Sequence, residues 1–284
     1  MKPQDFEFLQ RTLKDRSGIV LSQDKAYLVE SRLTPVARKR GVASLDDLVA
    51  ALRKGDPALL TEVIDAMTTN ESLFFRDLKP FEGLRDLILP GLVTARKATG
   101  RNKIRIWCAA CSSGQEPYSI ALLLRENAAK FQGFQFEIVA TDLSTEMVAR
   151  ATEGVFTQFE VQRGLPIQLL IKYFKQQGDR WHLDDTVRRM AQFKRFNLLE
   201  NYRPLGLFDI IFCRNVLIYF DQATRTDILN RMSEVMSDQG ALFLGGAQSV
   251  RGISNSFKPF SGLRGAYGVS RVAKTAGSTA RASA

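Results

Sequence analysis

Ile104-Arg105-Ile106-Trp107-Cys108-Ala109-Ala110-Cys111-Ser112-Ser113-Gly114-Gln115-Glu116-Pro117 is the stretch on which the fold class turns. Its first six residues, largely apolar and rich in isoleucine, read as a strand ending at Ala109. Small residues follow, then Gly114. Pro117 falls at an early helical position, where its missing N–H is no loss. The segment is therefore a strand, a tight loop and the start of a helix. Small residues in such a loop let backbone approach a ligand, and a helix start offers N–H groups with no intrahelical partner.

Downstream the alternation repeats. Phe136 to Ala140 reads as a strand and Thr145 to Ala151 as a helix. Phe208 to Cys213 is a near-continuous apolar strand, followed by a helix over Thr224 to Met236 and a strand at Ala241 to Leu244. Strand–helix alternation predicts a parallel sheet covered on both faces, an α/β, Rossmann-like doubly wound domain over 85–274. One part breaks it. Trp181-His182-Leu183, Val187 and Ala191 to Phe196 alternate around Asp184-Asp185, which predicts an inserted antiparallel β-subdomain over 175–196.

Upstream, residues 1–70 carry only helical patterns. Phe6, Leu9 and Leu13 recur at helical spacing before Gly18. A second helix starts near Ser22, carries Tyr27, Leu28 and Leu33, and meets Pro35, which kinks or restarts it. Ser44 reads as an N-cap ahead of Leu48, Val49 and Leu52, and Leu59, Leu60, Val63, Ile64 and Met67 form a further apolar face. This predicts a small all-helical domain, joined through a linker at 71–84 to a helix carrying Phe81, Leu84, Leu87 and Ile88. Thr275 to Ala284 are small and polar, and a disordered tail is expected there. No internal repeat is present.

Composition narrows the function classes. No apolar run reaches the length of about 18 residues that a spanning helix needs, and the first residues lack a secretion-signal core, so a cytoplasmic protein is expected. Three cysteines are too few for a disulfide framework. Cys108 and Cys111 have C-x-x-C spacing, but no second pair exists and His182 is the sole histidine; no metal site is expected, and the thiols should pack at the end of a buried strand. Forty Lys and Arg against 30 Asp and Glu give a formal charge of +10, which suits an acidic partner, nucleic acid or protein.

In a doubly wound sheet, ligands bind outside the carboxyl ends of the strands. Three segments should meet there. Ala110 to Pro117 lacks the three-glycine dinucleotide fingerprint, and Glu116 suits the start of a helix. Thr141-Asp142 ends the second strand, 28 residues beyond Gly114, where a carboxylate can accept from ribose hydroxyls. Arg214-Asn215 leave the central strand beside Tyr219. No phosphate loop of the G-x-x-x-x-G-K-[ST] type occurs. A nucleoside site without a phosphate cradle fits S-adenosylmethionine better than NAD or ATP.

These residues, with others in the same order along the chain, resemble the CheR family of chemotaxis receptor glutamate methyltransferases. Thr68-Thr69-Asn70-Glu71-Ser72-Leu73-Phe74-Phe75-Arg76-Asp77 resembles the family's T-T-N-x-[ST]-x-F-F-R segment. Trp107 to Ile120, Ala140 to Ser144, Phe196 to Leu199 and Phe212 to Asp221 complete the pattern, and the resemblance spans 5–272. It implies a class I S-adenosylmethionine-dependent methyltransferase that esterifies glutamate side chains of methyl-accepting receptors. It also implies cofactor contacts at Asn70, Ser72, Arg76, Glu116, Asp142, Asn197, Leu198, Arg214 and Asn215. Arg76 and Tyr219 would orient the substrate carboxylate. Arg32, Arg38, Lys39 and Arg40 would dock the helical domain on an acidic receptor bundle. The loop Gln176-Gln177-Gly178-Asp179-Arg180 is short, which suggests no dependence on a receptor C-terminal peptide tether. An RNA or DNA methyltransferase would share fold and charge, but no N/D-P-P-Y-type motif follows the central strand. A non-catalytic cofactor-binding regulatory module is the remaining alternative.

Overall fold

The computed structural model of the chain describes residues 1–271. The expected tail at 275–284 lies outside the described residues. The first four helices are α1 (Pro3–Ser17), α2 (Ala26–Lys39), α3 (Leu45–Arg53) and α4 (Pro57–Met67). Their ends follow local chemistry. Gly18 stops α1 in the left-handed conformation, and Ser44 caps α3 by accepting from the Asp47 N–H. Pro35 stays inside α2 rather than breaking it. Leu9, Leu13, Val29, Leu33, Val49 and Val63 are buried in a core of their own. Tyr27 is exposed instead, because the buried face of α2 runs through Val29, Leu33 and Val36.

Short helix α5 (Lys79–Gly83) runs through a π-turn (Leu84–Ile88) into α6 (Leu89–Ala98). Then come β1 (Lys103–Ala109), α7 (Gln115–Glu126), β2 (Gln135–Asp142) and α8 (Thr145–Glu153). Next are β3 (Val155–Thr157), α9 (Gln158–Gln162), α10 (Ile167–Tyr173), β4 (Phe174–Gln177), β5 (Arg180–Leu183), α11 (Asp185–Arg188) and β6 (Ala191–Arg195). The chain continues with β7 (Phe208–Cys213), α12 (Gln222–Glu234), β8 (Met236–Leu244), β9 (Phe257–Pro259) and β10 (Ala266–Val269). The main sheet has the order β6-β2-β1-β7-β8-β10-β9; β10 alone runs against the others, pairing antiparallel with β8 on one side and β9 on the other. The order reverses between β1 and β7, which is where a doubly wound sheet opens a ligand crevice.

Two expectations need correction. The inserted antiparallel subdomain is present as a three-stranded sheet, β3-β5-β4, but its strands lie between Val155 and Leu183 and not over 175–196. Ala191–Arg195 pairs parallel to β2 at the edge of the main sheet, Ala140 opposite Phe193. An edge strand with one exposed side alternates apolar and polar just as a hairpin strand does, so the pattern could not separate them. Helix α12 also stops before Met236, which already pairs with Phe208 as the first residue of β8.

Candidate functional site

A cleft of about 970 Å³, counted out to its open mouth, lies at the carboxyl ends of β1, β2 and β7. Asn70, Ser72, Arg76, Glu116, Asp142, Asn197, Leu198, Arg214, Asn215 and Tyr219 all line it. The ten come from five separate segments, so their meeting is a product of the topology and not of proximity in the chain.

Each wall has a local reason. The small-residue loop after β1 bends through Ala110 (φ 61°) and Ser112 (φ 51°) into α7. The Ser112 hydroxyl donates to the Asn70 carbonyl at 2.7 Å and ties this loop to the linker. Asp142 ends β2 and accepts from the Ser112 and Ser144 N–H groups at 2.7 and 2.9 Å. Ser144, not Asp142, caps α8 by accepting from Met147. Burial pushes the Asp142 carboxyl above its ordinary value, and the two N–H donors oppose that. Asn197 donates to the Arg16 carbonyl at 2.7 Å, and Val20 donates to the Tyr219 carbonyl at 2.9 Å. Lys14 pairs with Asp221. The helical unit is thus fastened against the sheet, and Ser17 and Ile19 join the cleft wall. Sequence reasoning located Gly18 as a helix stop, but no local signal says which wall that stop faces.

Arg214 is the hub of the charged set. Its side chain is 1% exposed. One amino group donates to Glu116 at 2.8 Å; the other donates to Asp77 at 2.7 Å and to the Arg76 carbonyl at 2.8 Å. The Arg214 Nε is buried with no protein partner. Burial raises the Glu116 carboxyl from its ordinary range, and the Arg214 charge pulls it back only in part. Asp77 was not anticipated from sequence, because a surface acid in a linker carries no pattern. Among the described residues, every non-glycine with positive φ lies in the linker, the β1 loop or the β7 loop: Phe75, Asp77, Leu78, Ala110, Ser112 and Asn215. Such residues cost of order 1–3 kcal/mol each and cluster where a ligand must be met by a fixed shape.

The four docking candidates separate. Arg32 is half-buried and donates to the carbonyls of Met67 (2.8 Å) and Thr68 (3.1 Å) and to the Thr69 hydroxyl (3.1 Å). It closes the end of α4 and holds the segment that enters the cleft at Asn70. Lys39 and Arg40 are paired with Glu62, and Arg40 also with Asp56. Arg38 is exposed. Residues 1–67 carry eleven Lys and Arg against ten Asp and Glu, so the net +10 resides mostly in the α/β unit.

Cys108, Cys111 and Cys213 are buried free thiols, and burial pushes all three above the ordinary thiol value. They are packing groups at the strand ends, as the bland reading of the C-x-x-C spacing has it. No helix among the described residues is long and apolar enough to cross a membrane.

The donor set fits S-adenosylmethionine. A strand-end carboxylate at Asp142, a free carboxamide at Asn215, a second largely buried acid at Glu116 and a small-residue loop suit a cationic nucleoside, and the sequence has no phosphate-loop motif. Comparison with known proteins agrees. Residues 70–265 match the CheR methyltransferase SAM-binding domain, and residues 4–68 match the CheR methyltransferase all-alpha domain. Chemotaxis protein methyltransferase 1 of Pseudomonas aeruginosa is 41% identical over 259 residues, 89% of this chain and 93% of that protein. Chemotaxis protein methyltransferase Cher2 of Pseudomonas putida is 40% identical over 260 residues, covering 89% and 93%. The chemotaxis protein methyltransferase of Vibrio parahaemolyticus is 40% identical over 259 residues, covering 90% and 92%. With both of its units matched in order and its cleft furnished for the cofactor, the chain belongs to the CheR family of S-adenosylmethionine-dependent methyltransferases.

Proposed function

We propose that the chain methylates glutamate side chains on the cytoplasmic helical domain of chemotaxis receptors, forming glutamyl methyl esters at the receptor arrays. The observation that carries this is the cleft itself. It gathers cofactor groups from five segments and leaves Arg76 and Tyr219 at its wall, with no histidine among its lining residues.

When bound, S-adenosylmethionine supplies a methyl group on a sulfonium cation, and an ionised carboxylate accepts it by forming an O–C bond as the S–C bond breaks. A glutamate with an ordinary pKa near 4.3 is already ionised at neutral pH, so the site needs no general base. The chain's task is positioning and exclusion of water, and good alignment is worth roughly 7–11 kcal/mol in favourable cases. Asn70, Ser72, Glu116, Asp142, Asn197, Leu198 and Asn215 hold the cofactor. Arg76 and Tyr219 orient the acceptor carboxylate. The Arg76 guanidinium spends only a long contact, 3.4 Å, on the Glu71 carbonyl and is available to a ligand. Arg214 serves by holding the Arg76 backbone and Glu116 in place.

In this reading residues 1–70 form the docking unit, 71–84 the linker and 85–274 the transferase unit. Arg38 and Lys39 present the basic face of α2 to an acidic receptor bundle, while Arg32 also braces the Met67–Thr69 segment beside the cleft. The β4–β5 connection has only Gly178 and Asp179 between its strands, which supports action without a receptor peptide tether.

The test is methyl transfer from tritiated S-adenosylmethionine, with receptor cytoplasmic fragments and bulk RNA offered in parallel. Label on the fragments that alkali releases as methanol is the expected result, since an ester hydrolyses and a methylated base does not. Alkali-stable label on RNA, or no label on fragments, would overturn the proposal.

A further inference from the structure

The turn that carries Arg214 and Asn215 into the cleft is held by a residue outside it. Asn215 is left-handed at φ 58°, a conformation that asparagine adopts more readily than most residues and that its neighbours fix here. The Asn215 N–H donates to the Gln248 Oε1 at 2.8 Å. The same oxygen accepts from the Gly245 N–H at 2.9 Å. Gln248 is itself anchored, because its N–H donates to the Gly245 carbonyl at 2.8 Å. Both carboxamides pack against Gly245: a Cβ there would lie 2.8 Å from the Gln248 Oε1 and 2.9 Å from the Asn215 Nδ2. The loops after β7 and β8 are thus locked through one carboxamide oxygen. The Gln248 Nε2 is buried with no partner, so the side chain is retained for its acceptor and not for its donor.

The consequence falls on the cofactor. Asn215 lines the cleft, and its own carboxamide makes no hydrogen bond among the described residues. With its backbone fixed from behind, that carboxamide is presented to the ligand in one orientation. We infer that Gln248 is a positioning residue for cofactor binding, acting through Asn215; the inference rests on Asn215 being a cofactor contact. The effect is one of preorganisation, with no contact between Gln248 and the ligand needed.

A double-mutant cycle on S-adenosylhomocysteine binding, read by calorimetry without any receptor, tests it. Gln248→Met removes the acceptor and should raise Kd at least ~10-fold, the scale of one to two hydrogen bonds. Gln248→Glu keeps an acceptor oxygen and should stay within roughly threefold of wild type. Asn215→Ala should weaken binding, and Gln248→Met added to it should cost no further loss. A Gln248 that merely supports the fold would lower the melting temperature and leave Kd untouched well below it. Should Gln248→Met fail to fold, Gln248→Ala removes the same oxygen without filling the space around Asn215 and should raise Kd to the same extent. Normal affinity in Asn215→Ala would sink the reading of Asn215 as a ligand. Weakened Asn215→Ala beside an unaffected Gln248→Met, equal loss in Gln248→Glu and Gln248→Met, or additive losses in the double variant would overturn the inference about Gln248 alone.

Discussion

Replacing Arg214 with leucine isolates the buried ion cluster. The guanidinium is 1% exposed, Glu116 is 13% exposed and Asp77 is 52% exposed. Removing one partner of a buried pair costs about 3–5 kcal/mol, because the other is left uncompensated. Asp77 can turn into water and adds little. Burial already holds the Glu116 carboxyl above its ordinary value with Arg214 present. Without Arg214 it escapes by taking up a proton, so the loss should sit near the lower end, about 3 kcal/mol at neutral pH, and grow as pH rises. The assay is urea unfolding of cofactor-free protein followed by tryptophan fluorescence. Trp107 and Trp181, the only tryptophans, both lie in the α/β unit, so the signal reports the unit that holds the cluster. Arg214→Leu with Glu116→Leu removes the orphaned acid and should recover at least half of the loss. A single-variant loss below about 1 kcal/mol, or a double-variant loss equal to the sum of the singles, would show that the cluster is not coupled as described.

Arg32→Ala should weaken S-adenosylhomocysteine binding several-fold by freeing the Met67–Thr69 segment, whereas Arg38→Glu with Lys39→Glu should leave that affinity alone and raise the KM for receptor; equilibrium binding beside receptor kinetics separates the two. Arg76→Ala should abolish most turnover while cofactor affinity falls less, and equal loss of both in steady-state kinetics and calorimetry would assign Arg76 to the cofactor. Burial raises the folded pKa of Glu116 above its ordinary value, so the unfolded chain gives up this proton first and the group's contribution to stability falls as pH climbs from the ordinary value toward the raised one. Glu116→Gln should therefore gain on wild type in denaturation midpoint as pH rises above the ordinary carboxylate range, and a flat or opposite trend would contradict the assignment. Gly164 is left-handed at φ 85°, and a Cβ there would meet the Phe74 carbonyl oxygen at 2.0 Å; Gly164→Ala should cost at least ~2 kcal/mol in urea unfolding, since neither backbone can yield cheaply.

What could be read in the sequence was whatever repeats locally. β1 and β7 were recognisable because apolar runs end abruptly in polar residues, and α1 and α3 because Gly18 and Ser44 carry their own stop and start chemistry. The β6 strand was placed in the wrong sheet because a period of two records one exposed face and not the partner strand. β8 was begun too late, since Ser237, Asp238 and Gln239 hide a strand that enters through a register shift at Phe208/Ile210. No local pattern marked β9 and β10, which add antiparallel to the far edge.

The site divides along the same line. Asp142 could be singled out because a carboxylate at a strand end has few ordinary uses, and Ser144 was visibly the better cap. Arg32 was assigned to a surface because a basic helix face is the default home of an arginine. Its partners lie 35 to 37 residues away, beyond what periodicity can record. The same holds for Asp77, which meets Arg214 across 137 residues, and for Gln248, which meets Asn215 across 33. Among the residues that line the cleft, Glu116, Asp142, Arg214 and Asn215 could be read from strand ends, while Asn70, Ser72, Arg76, Asn197 and Leu198 came only with the family resemblance; those that hold them still were not legible, because their role is set by who stands behind whom in the folded chain. The two left-handed turns at Ser112 and Asn215 show that second group at work: the Ser112 N–H is held by Asp142 and the Asn215 N–H by Gln248, each fixing a turn that carries cleft residues.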